Sequence, residues 1–352
     1  MRRKTATPFR FLVVGGFLAS GVACSSDGSP PGSGPEASEG IPQAPPPPPG
    51  EWAPLVGEYA ARQDTLSILE DGQTLYVLFW KGGGQALEVV TDSTFELAGN
   101  RGTLTVRWEE AGKVGGLALG NRTFERLSLG GEEGETFMIT PPRRPEELRL
   151  EALSASPPSE EGDFLPTDLV EVVSLDPTIR LDIRYASTDN FMGEVFYSSP
   201  RAFLQRPAAE ALVRAHDWLK GRGFGLMIHD GYRPWYVTKM FWDATPEPLR
   251  NFVANPANGS RHNRGCAIDL TLFDLETGEV VTMPAGFDEM SPRSHADYPG
   301  GTSRQRWYRR LLRVAMEAQG FTVYPDEWWH FDYESWSRFR IGNEAFEEIG
   351  VG

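Results

Sequence analysis

The sequence predicts an α+β domain in its C-terminal half, preceded by a small all-β domain. Between residues 51 and 140, short alternating apolar runs are separated by turn signals such as Asp71-Gly72, which predicts a small antiparallel barrel or sandwich. Between residues 163 and 352, extended apolar runs are mixed with two segments of helical periodicity. The chain of 352 residues is long enough for both domains once its ends are set aside.

The first 24 residues have the pattern of a secretory signal peptide. Residues 2–4 are basic, residues 11–23 form a short apolar run, and Cys24 follows. Cys24 stands where a bacterial lipoprotein carries its lipid-modified cysteine, although Gly21 occupies a position that is usually leucine. We therefore expect export to the cell envelope or periplasm with a lipid anchor at Cys24, and an ordinary cleaved signal is the alternative.

Two further segments have the composition of linkers. Residues 25–50 are almost wholly Ser, Gly, Pro, Ala and acidic residues, so we expect a disordered tether. The segment 141–162 is rich in Pro, Ser and Glu, and we expect a second linker between the all-β domain at 51–140 and the domain at 163–352. In its Gly57-Glu58-Tyr59 start, the all-β domain is similar to the lipocalin-like accessory domains of some secreted hydrolases.

Composition argues against several classes of function. The formal net charge of −15 argues against a nucleic-acid partner, which requires a basic surface. The two cysteines, Cys24 and Cys266, exclude a disulfide framework. We interpret Cys266 as a small buried residue, because a thiol nucleophile needs an adjacent base. No stretch approaches the roughly 20 apolar residues of a membrane span, so we expect membrane contact only through the N-terminal anchor.

In the C-terminal domain (residues 163–352), the pattern predicts two helices and five extended segments. The helix at 207–221 has apolar residues at helical spacing, and the helix at 306–319 ends before Gly320. The extended segments are 169–175, 179–185, 224–229, 266–273 and 321–324.

All histidines of the chain lie in the C-terminal domain. They are His216, His229, His262, His295 and His330. We interpret His216 and His229 as structural, and His295 as a brace for a loop of the pocket. The other two stand in motifs that suggest chemistry.

His262 and Asp269 form the first of these motifs. Imidazole and carboxylate groups both suit zinc. A spacing of seven places the two residues on opposite faces of a regular strand, so the segment must bend, and Gly265 would permit the bend. Taken alone, the pair is more often found in ordinary surface use.

The second motif is Glu327-Trp328-Trp329-His330. A zinc hydrolase needs three protein ligands, an open fourth position, and a carboxylate outside the ligand set that takes the proton of water. His262, Asp269 and His330 supply such ligands, and Glu327 supplies the carboxylate. The alternative interpretation is an ordinary acidic residue beside two packed tryptophans.

The third motif is Asp230-Gly231-Tyr232-Arg233-Pro234, directly after the apolar strand that ends at His229. An arginine at the end of a strand, held by Gly and Pro, can point into a site as a donor for a developing oxyanion. Arg233 is therefore a candidate, although the motif alone is that of an ordinary turn.

Together with segments 181–193, 287–290 and 293–295, the three motifs resemble the D-alanyl-D-alanine dipeptidases, the vancomycin-resistance type within the zinc D,D-peptidase superfamily. The resemblance implies a hedgehog/D,D-peptidase-like α+β fold with a central antiparallel sheet. It also implies one zinc ion per chain, held by His262, Asp269 and His330. Glu327 is implied as the general base, and Arg233 as the group that stabilises the tetrahedral intermediate.

The same resemblance implies two substrate contacts. Asp288 matches an aspartate that binds the free amino group of the substrate, and Ser260 matches a polar residue of the substrate pocket. Arg261 departs from the small polar residue that is usual before the first histidine. It either alters the pocket for the carboxylate of the substrate or points outward.

Three functions are compatible with these observations. The first is an exported zinc dipeptidase that hydrolyses D-Ala-D-Ala or related dipeptides. The second is a zinc D,D-carboxypeptidase that acts on cell-wall peptides, and the loop carrying Asp288 discriminates it from the first. The third is a non-catalytic cell-wall-binding lipoprotein, which predicts the loss of Glu327 or Arg233, and both are present. The sequence leaves the oligomeric state open.

Overall fold

The structure is a computed structural model that describes residues 41–62, 64–79, 83–129 and 135–349. The predicted signal peptide, the lipid anchor at Cys24 and most of the tether at 25–50 lie outside the described residues. Within the described ranges, no helix combines the length and the apolar character needed to cross a bilayer.

The N-terminal domain is a closed antiparallel barrel of eight strands, because β1 pairs with both β2 and β8. Its strands alternate between the apolar interior and solvent, so that Leu104 and Val106 are buried between exposed neighbours on β6. Closure leaves no free sheet edge. The strands are β1 (Gly57–Ala61), β2 (Asp64–Asp71), β3 (Thr74–Phe79), β4 (Gly83–Thr91), β5 (Thr94–Leu97), β6 (Thr103–Trp108), β7 (Val114–Leu119) and β8 (Arg122–Arg126).

The interior of the barrel is filled by apolar side chains such as Leu66, Ile68 and Phe124. Tyr59 is also buried there, and its hydroxyl donates a hydrogen bond of 2.7 Å to the carbonyl of Leu55. The prediction of a small all-β barrel is confirmed.

The segment 141–162, expected to be a linker, contains a helix. Helix α1 (Pro145–Ser154) begins with proline and two glutamates, which favour a helix N-terminus. Its Leu148 and Ala152, four residues apart, are buried on one face, and the helix lies against helix α4 (Trp235–Ala244). The composition predicted a linker, but this apolar pair gives the segment a surface that packs.

The C-terminal domain is built on a five-stranded sheet in the order β10-β12-β13-β15-β14. The resemblance implied an antiparallel sheet, and this is corrected at one edge, where β10 runs parallel to β12. The remaining elements are β9 (Leu169–Glu171), α2 (Val172–Leu175), β10 (Arg180–Leu181), β11 (Phe203–Gln205), α3 (Arg206–Lys220), β12 (Phe224–Asp230), β13 (Ala267–Asp274), α5 (Ser303–Glu317), β14 (Phe321–Tyr324) and β15 (Glu327–Tyr333).

Both predicted helices form, as α3 and α5, each within a few residues of the expected bounds. The prediction of an extended segment at 169–175 is only partly correct, because a helical turn (α2) replaces its second half. The segment predicted at 179–185 contains the two-residue strand β10, followed by a 3-10 turn.

A buried carboxylate joins the barrel to helix α5. Glu70, at the end of β2, is fully buried, and its carboxylate accepts hydrogen bonds from the backbone nitrogen (2.9 Å) and hydroxyl (2.8 Å) of Ser303. Arg306 donates to the carbonyl of Glu70 at 2.9 Å and to Asp71 at 2.8 Å. A negative charge at the N-terminus of a helix is favourable. The barrel therefore contacts the end of the loop that runs from β13 to α5.

Candidate metal and catalytic site

Two neighbouring strands and a turn bring the three predicted ligands together. Asp269 on β13 is paired in register with His330 on β15. His262 lies in the 3-10 turn before β13, which closes at Gly265 with φ of 66°. A Cβ atom at this glycine would lie 2.5 Å from Leu169 Cδ2. The bend expected at Gly265 is therefore present, and it turns His262 back towards Asp269.

The ligand atoms form a small buried triangle. The distance from His262 Nε2 to His330 Nδ1 is 3.1 Å, and Asp269 Oδ1 lies 3.0 Å from His330 Nδ1 and 3.4 Å from His262 Nε2. All three residues are buried. With metal–ligand bonds of about 2.0–2.1 Å, tetrahedral geometry separates neighbouring ligand atoms by about 3.3 Å. The triangle therefore matches one face of such a tetrahedron.

The outer nitrogen of each histidine has a partner that fixes its proton. His262 Nδ1 donates to the carbonyl oxygen of Gly231 at 2.7 Å, and His330 Nε2 lies 3.0 Å from Asp332 Oδ1. In a neutral ring, the inner nitrogen is then an acceptor. Three acceptors thus converge on one point, and a cation would relieve their repulsion. The His262, Asp269 and His330 group fits a bound metal ion.

The pKa shifts of His330 and Asp269 indicate that the triangle favours a bound positive charge. Burial opposes a charge on His330, but Asp332 and Asp269 raise its pKa well above the ordinary value. Burial also opposes the charge on Asp269, yet the two histidines hold the pKa of its carboxyl well below the usual range. A proton on His330 is the alternative to a metal ion, so the two compete for this position.

Glu327 begins β15 and lies beside the triangle. Its Oε2 is 3.7 Å from His330 Nδ1, and its side chain is 14% exposed. Burial, together with the negative charges of Asp269 and Asp288, raises the pKa of Glu327 to about 8, although His330 and Arg233 act in the opposite direction. A bound cation would lower this pKa.

Arg233 is held in place by the carboxylate of Asp230, the last residue of β12. Its Nε and Nη2 both lie 2.8 Å from Asp230 Oδ2, and Nη2 is 3.6 Å from Asp269 Oδ2. The guanidinium is 4.8 Å from the ring centre of Phe241 and 5.3 Å from that of Tyr185. The arginine is 8% exposed, so it presents a fixed positive charge next to the triangle.

Asp288 lies on the loop between β13 and α5, in a left-handed conformation with φ of 58°. The hydroxyl of Tyr185 donates a hydrogen bond of 2.7 Å to its Oδ2. Burial raises the pKa of Asp288 to about 7, and the bond from Tyr185 only partly offsets this effect. The carboxylate is therefore fixed in direction and short of positive partners.

Ser260 has a structural partner as well as a place at the pocket. Its Oγ accepts a hydrogen bond of 3.2 Å from the backbone nitrogen of His262, which stabilises the turn that carries this ligand. Arg261, the next residue, turns its side chain to Asp332, with Nη1 3.1 Å from Oδ2.

The site residues surround one cavity of about 330 Å³. All its lining residues belong to the C-terminal domain, and Trp329 is among them whereas Trp328 is not. The cavity is at the small end of the range for ligand pockets. The predicted site residues that line it are Arg233, Ser260, His262, Asp269, Asp288, Glu327 and His330.

The remaining candidates lie away from the cavity. His216 Nδ1 accepts from the backbone nitrogen of Leu226 at 3.1 Å, which suits a structural role. His295 does not line the cavity. Cys266 is buried, and burial raises the pKa of its thiol to about 12, so it is not a nucleophile near neutral pH.

Three residues of the site were not singled out by sequence reasoning. Asp230 fixes Arg233, Tyr185 fixes Asp288, and Asp332 binds the outer nitrogen of His330. A signal existed for Asp332, because residues two apart in a strand lie on one face. Asp230 precedes Arg233 by three residues in the same motif, so a signal existed there as well, whereas Tyr185 and Asp288 are 103 residues apart.

Comparisons with known proteins show which family this chain resembles. A family model described as D-ala-D-ala dipeptidase matches residues 166–338. A D-alanyl-D-alanine dipeptidase of Escherichia coli is 39% identical over 166 residues, which are 47% of this chain and 84% of that protein. Those of Enterococcus faecium and Streptomyces coelicolor are 36% and 37% identical, over 44% and 48% of this chain and 85% and 91% of their own lengths. A solved LD-carboxypeptidase aligns over 60% of this chain and 83% of its own, at 19% identity and a TM-score of 0.30.

The matched family and the relatives define the class of the protein as a metallopeptidase. The chain belongs to the D-alanyl-D-alanine dipeptidase family. The predicted family and the prediction that the chain is an enzyme are thereby confirmed. The identity of the metal and the roles of individual residues remain predictions.

Proposed function

We propose that this chain is a zinc dipeptidase that hydrolyses D-Ala-D-Ala or closely related dipeptides. The observation that carries the proposal is the convergence of three acceptor atoms, from His262, Asp269 and His330, in a cavity that also contains Glu327 and Arg233. Two imidazoles and one carboxylate with an open side suit catalytic zinc. This set fits the hedgehog/D,D-peptidase-like fold that the sequence suggests.

Glu327, Arg233 and Ser260 each have a defined task in this proposal. Bound zinc would supply a Lewis acid and would lower the pKa of a water molecule. Glu327 accepts a proton from the attacking water and delivers it to the leaving amine. Arg233, held by Asp230, donates hydrogen bonds to the oxygen that becomes negative in the transition state. Ser260 contributes to the wall of the substrate pocket.

Asp288 supports a dipeptide rather than a longer peptide as the substrate. Its carboxylate faces the cavity with the hydroxyl of Tyr185 as a hydrogen-bond donor, so it is suited to pair with the ammonium group of a free dipeptide. Such a charge-assisted contact contributes about 1.5–3 kcal/mol. The cavity of about 330 Å³ is also small.

The N-terminal segment supports a location for this activity. We propose, on the signal-like sequence before Cys24, that the enzyme is exported and anchored by lipid at Cys24. Residues 25–50 then serve as a tether, and the barrel at 51–140 as an accessory domain.

The test of the proposed substrate compares D-Ala-D-Ala, its N-acetyl derivative, and a wall pentapeptide that ends in D-Ala-D-Ala. We expect the zinc-loaded enzyme to cleave the free dipeptide, with kcat/KM about tenfold to hundredfold higher than for the acetylated one. The Asp288→Asn variant should lose most of this difference. Cleavage of the pentapeptide as fast as the free dipeptide would favour a D,D-carboxypeptidase, and no hydrolysis of any of the three would favour a binding protein.

A further inference from the structure

The carboxylate of Asp332 is shared between a metal-ligand candidate and an arginine. Its Oδ1 lies 3.0 Å from His330 Nε2, and its Oδ2 lies 3.1 Å from Arg261 Nη1. Asp332 follows His330 by two residues on β15, so both side chains extend from the same face of the strand. The aspartate is well shielded, with 13% of its side chain exposed.

The two histidines of the triangle differ in the partner of their outer nitrogen. His262 donates to a neutral carbonyl, that of Gly231, and its Nδ1 lies 3.8 Å from Asp230 Oδ2, whereas His330 donates directly to a carboxylate. A carboxylate partner fixes the tautomer and ring orientation of a ligating histidine and increases its basicity. His330 is therefore the ligand whose outer nitrogen bonds directly to a carboxylate, and whose binding strength depends most on that neighbour.

Arg261 connects the two segments that carry the histidines. It directly precedes His262 in the chain, and its side chain reaches across to Asp332 on β15. The guanidinium lies 4.9 Å from the ring centre of Trp336, which further restricts its position. The ion pair thus links the turn of His262 to the strand of His330. The arginine that departs from the family pattern has a partner, even though 39% of its side chain is exposed.

We infer that Asp332 and Arg261 are positioning residues that set the affinity of the site for its metal. Asp332 holds the proton of His330 on Nε2 and so leaves Nδ1 free to bind, and Arg261 keeps the carboxylate turned towards the ring. The inference rests on the proposed function, because it requires that the triangle of His262, Asp269 and His330 binds zinc.

The test measures metal affinity, which does not depend on turnover. The metal-free full chain and its variants are titrated with Zn²⁺ in competition with a chromophoric chelator, and Co²⁺ spectra report the ligand geometry. We expect Asp332→Asn and Asp332→Ala to weaken zinc binding by about 10- to 100-fold and to change the Co²⁺ spectrum. Arg261→Ala, on a part-exposed side chain, should weaken binding by up to about fivefold, and Arg261→Lys should restore it.

The chain offers a matched control in a second histidine–aspartate–arginine group. Asp182 Oδ2 lies 3.3 Å from His229 Nδ1 and accepts from Arg184 Nε at 2.7 Å, outside the ligand triangle. Asp182→Asn should therefore leave zinc affinity within about twofold of the wild type. If wild type binds zinc and both Asp332 variants bind it equally well, the inference is overturned while the metal site stands. A wild type without affinity for zinc would overturn the metal site itself, and the inference with it.

Discussion

Asp269 and His330 face each other across strands β13 and β15, with Asp269 Oδ1 3.0 Å from His330 Nδ1. They are separated by 61 residues in the chain, and only the register of the two strands brings them together. His262 joins them because the turn at Gly265 reverses the chain just before β13. The site is thus built on the central strands of the sheet, which keeps its geometry rigid.

Arg233 should depend on Asp230 for its catalytic position. Asp230→Asn removes the charge that fixes the guanidinium, and we expect kcat to fall on the order of tenfold to hundredfold, because misplacement by about 1 Å has effects of this size. Zinc content should not change. Tyr197→Phe is the control, since it removes a different hydrogen bond to Asp230 (2.7 Å) and leaves Arg233 paired. Steady-state kinetics with D-Ala-D-Ala make the comparison, and normal turnover in Asp230→Asn would refute the assigned role.

The metal-free protein should become less stable as the pH rises. Burial above all raises the pKa of Glu327 to about 8 and that of Asp288 to about 7, whereas unfolded Glu and Asp ionise near about 4.3 and 3.9. Between these values the folded chain binds more protons than the unfolded chain, so the free energy of unfolding falls with increasing pH. The raised pKa of His330 acts in the same direction above its unfolded value of about 6.5, whereas the pKa of His216, lowered by burial, acts in the opposite direction below that value.

Thermal melts of the chelator-treated protein between about pH 5 and pH 8 measure this effect. The decrease in melting temperature per pH unit should be smaller in Glu327→Gln than in the wild type. Saturating zinc should reduce this decrease further, because a cation lowers both carboxyl pKa values. A melting temperature of the metal-free wild type that rises over this range would contradict the prediction.

The helix α1 segment should be part of the folded C-terminal domain. A chain that starts at residue 141 keeps α1 and Glu160, whose carboxylate lies 2.6 Å from Arg264 Nη2. A chain that starts at residue 163 leaves this arginine, with a side chain only 10% exposed, without that partner. We expect the free energy of unfolding of the longer chain to be higher by at least about 1–3 kcal/mol, the cost of an unsatisfied buried group. We also expect the longer chain to bind zinc without the barrel.

Urea unfolding of the two truncated chains tests this expectation. Glu160→Gln in the longer chain separates the contribution of the ion pair from that of the packed helix. Equal stability of the two chains would mean that residues 141–162 act as the linker their composition suggests.

The sequence predicts the candidate site residues more readily than the contacts that hold them in place. His262, Asp269 and Glu327 stand in short motifs whose residue types indicate metal chemistry, and the bend at Gly265 follows from their spacing. The register of β13 with β15 is a long-range property that no local pattern contains. For the same reason, the contact of Tyr185 with Asp288, 103 residues away, was not foreseen.

The errors in the fold have equally local causes. Composition over 141–162 is dominated by Pro, Ser and Glu, and this obscured the pair Leu148 and Ala152 that anchors α1. The sequence predicts an extended segment at 169–175, but β9 ends at Glu171 and the following turn buries Val172. Burial against other elements overrode the local preference in both segments.

The central claim is tested most directly by measuring zinc content and kcat for D-Ala-D-Ala in Glu327→Gln beside His330→Ala. Glu327 lies next to the triangle rather than in it, so its variant should retain zinc at the wild-type level. Because Glu327 is the proposed general base, its replacement should lower kcat by about 10²–10⁴-fold. His330→Ala should instead lose the metal, because a three-ligand site seldom survives on two. A Glu327→Gln enzyme with wild-type turnover, or one that has lost its zinc, would contradict the account.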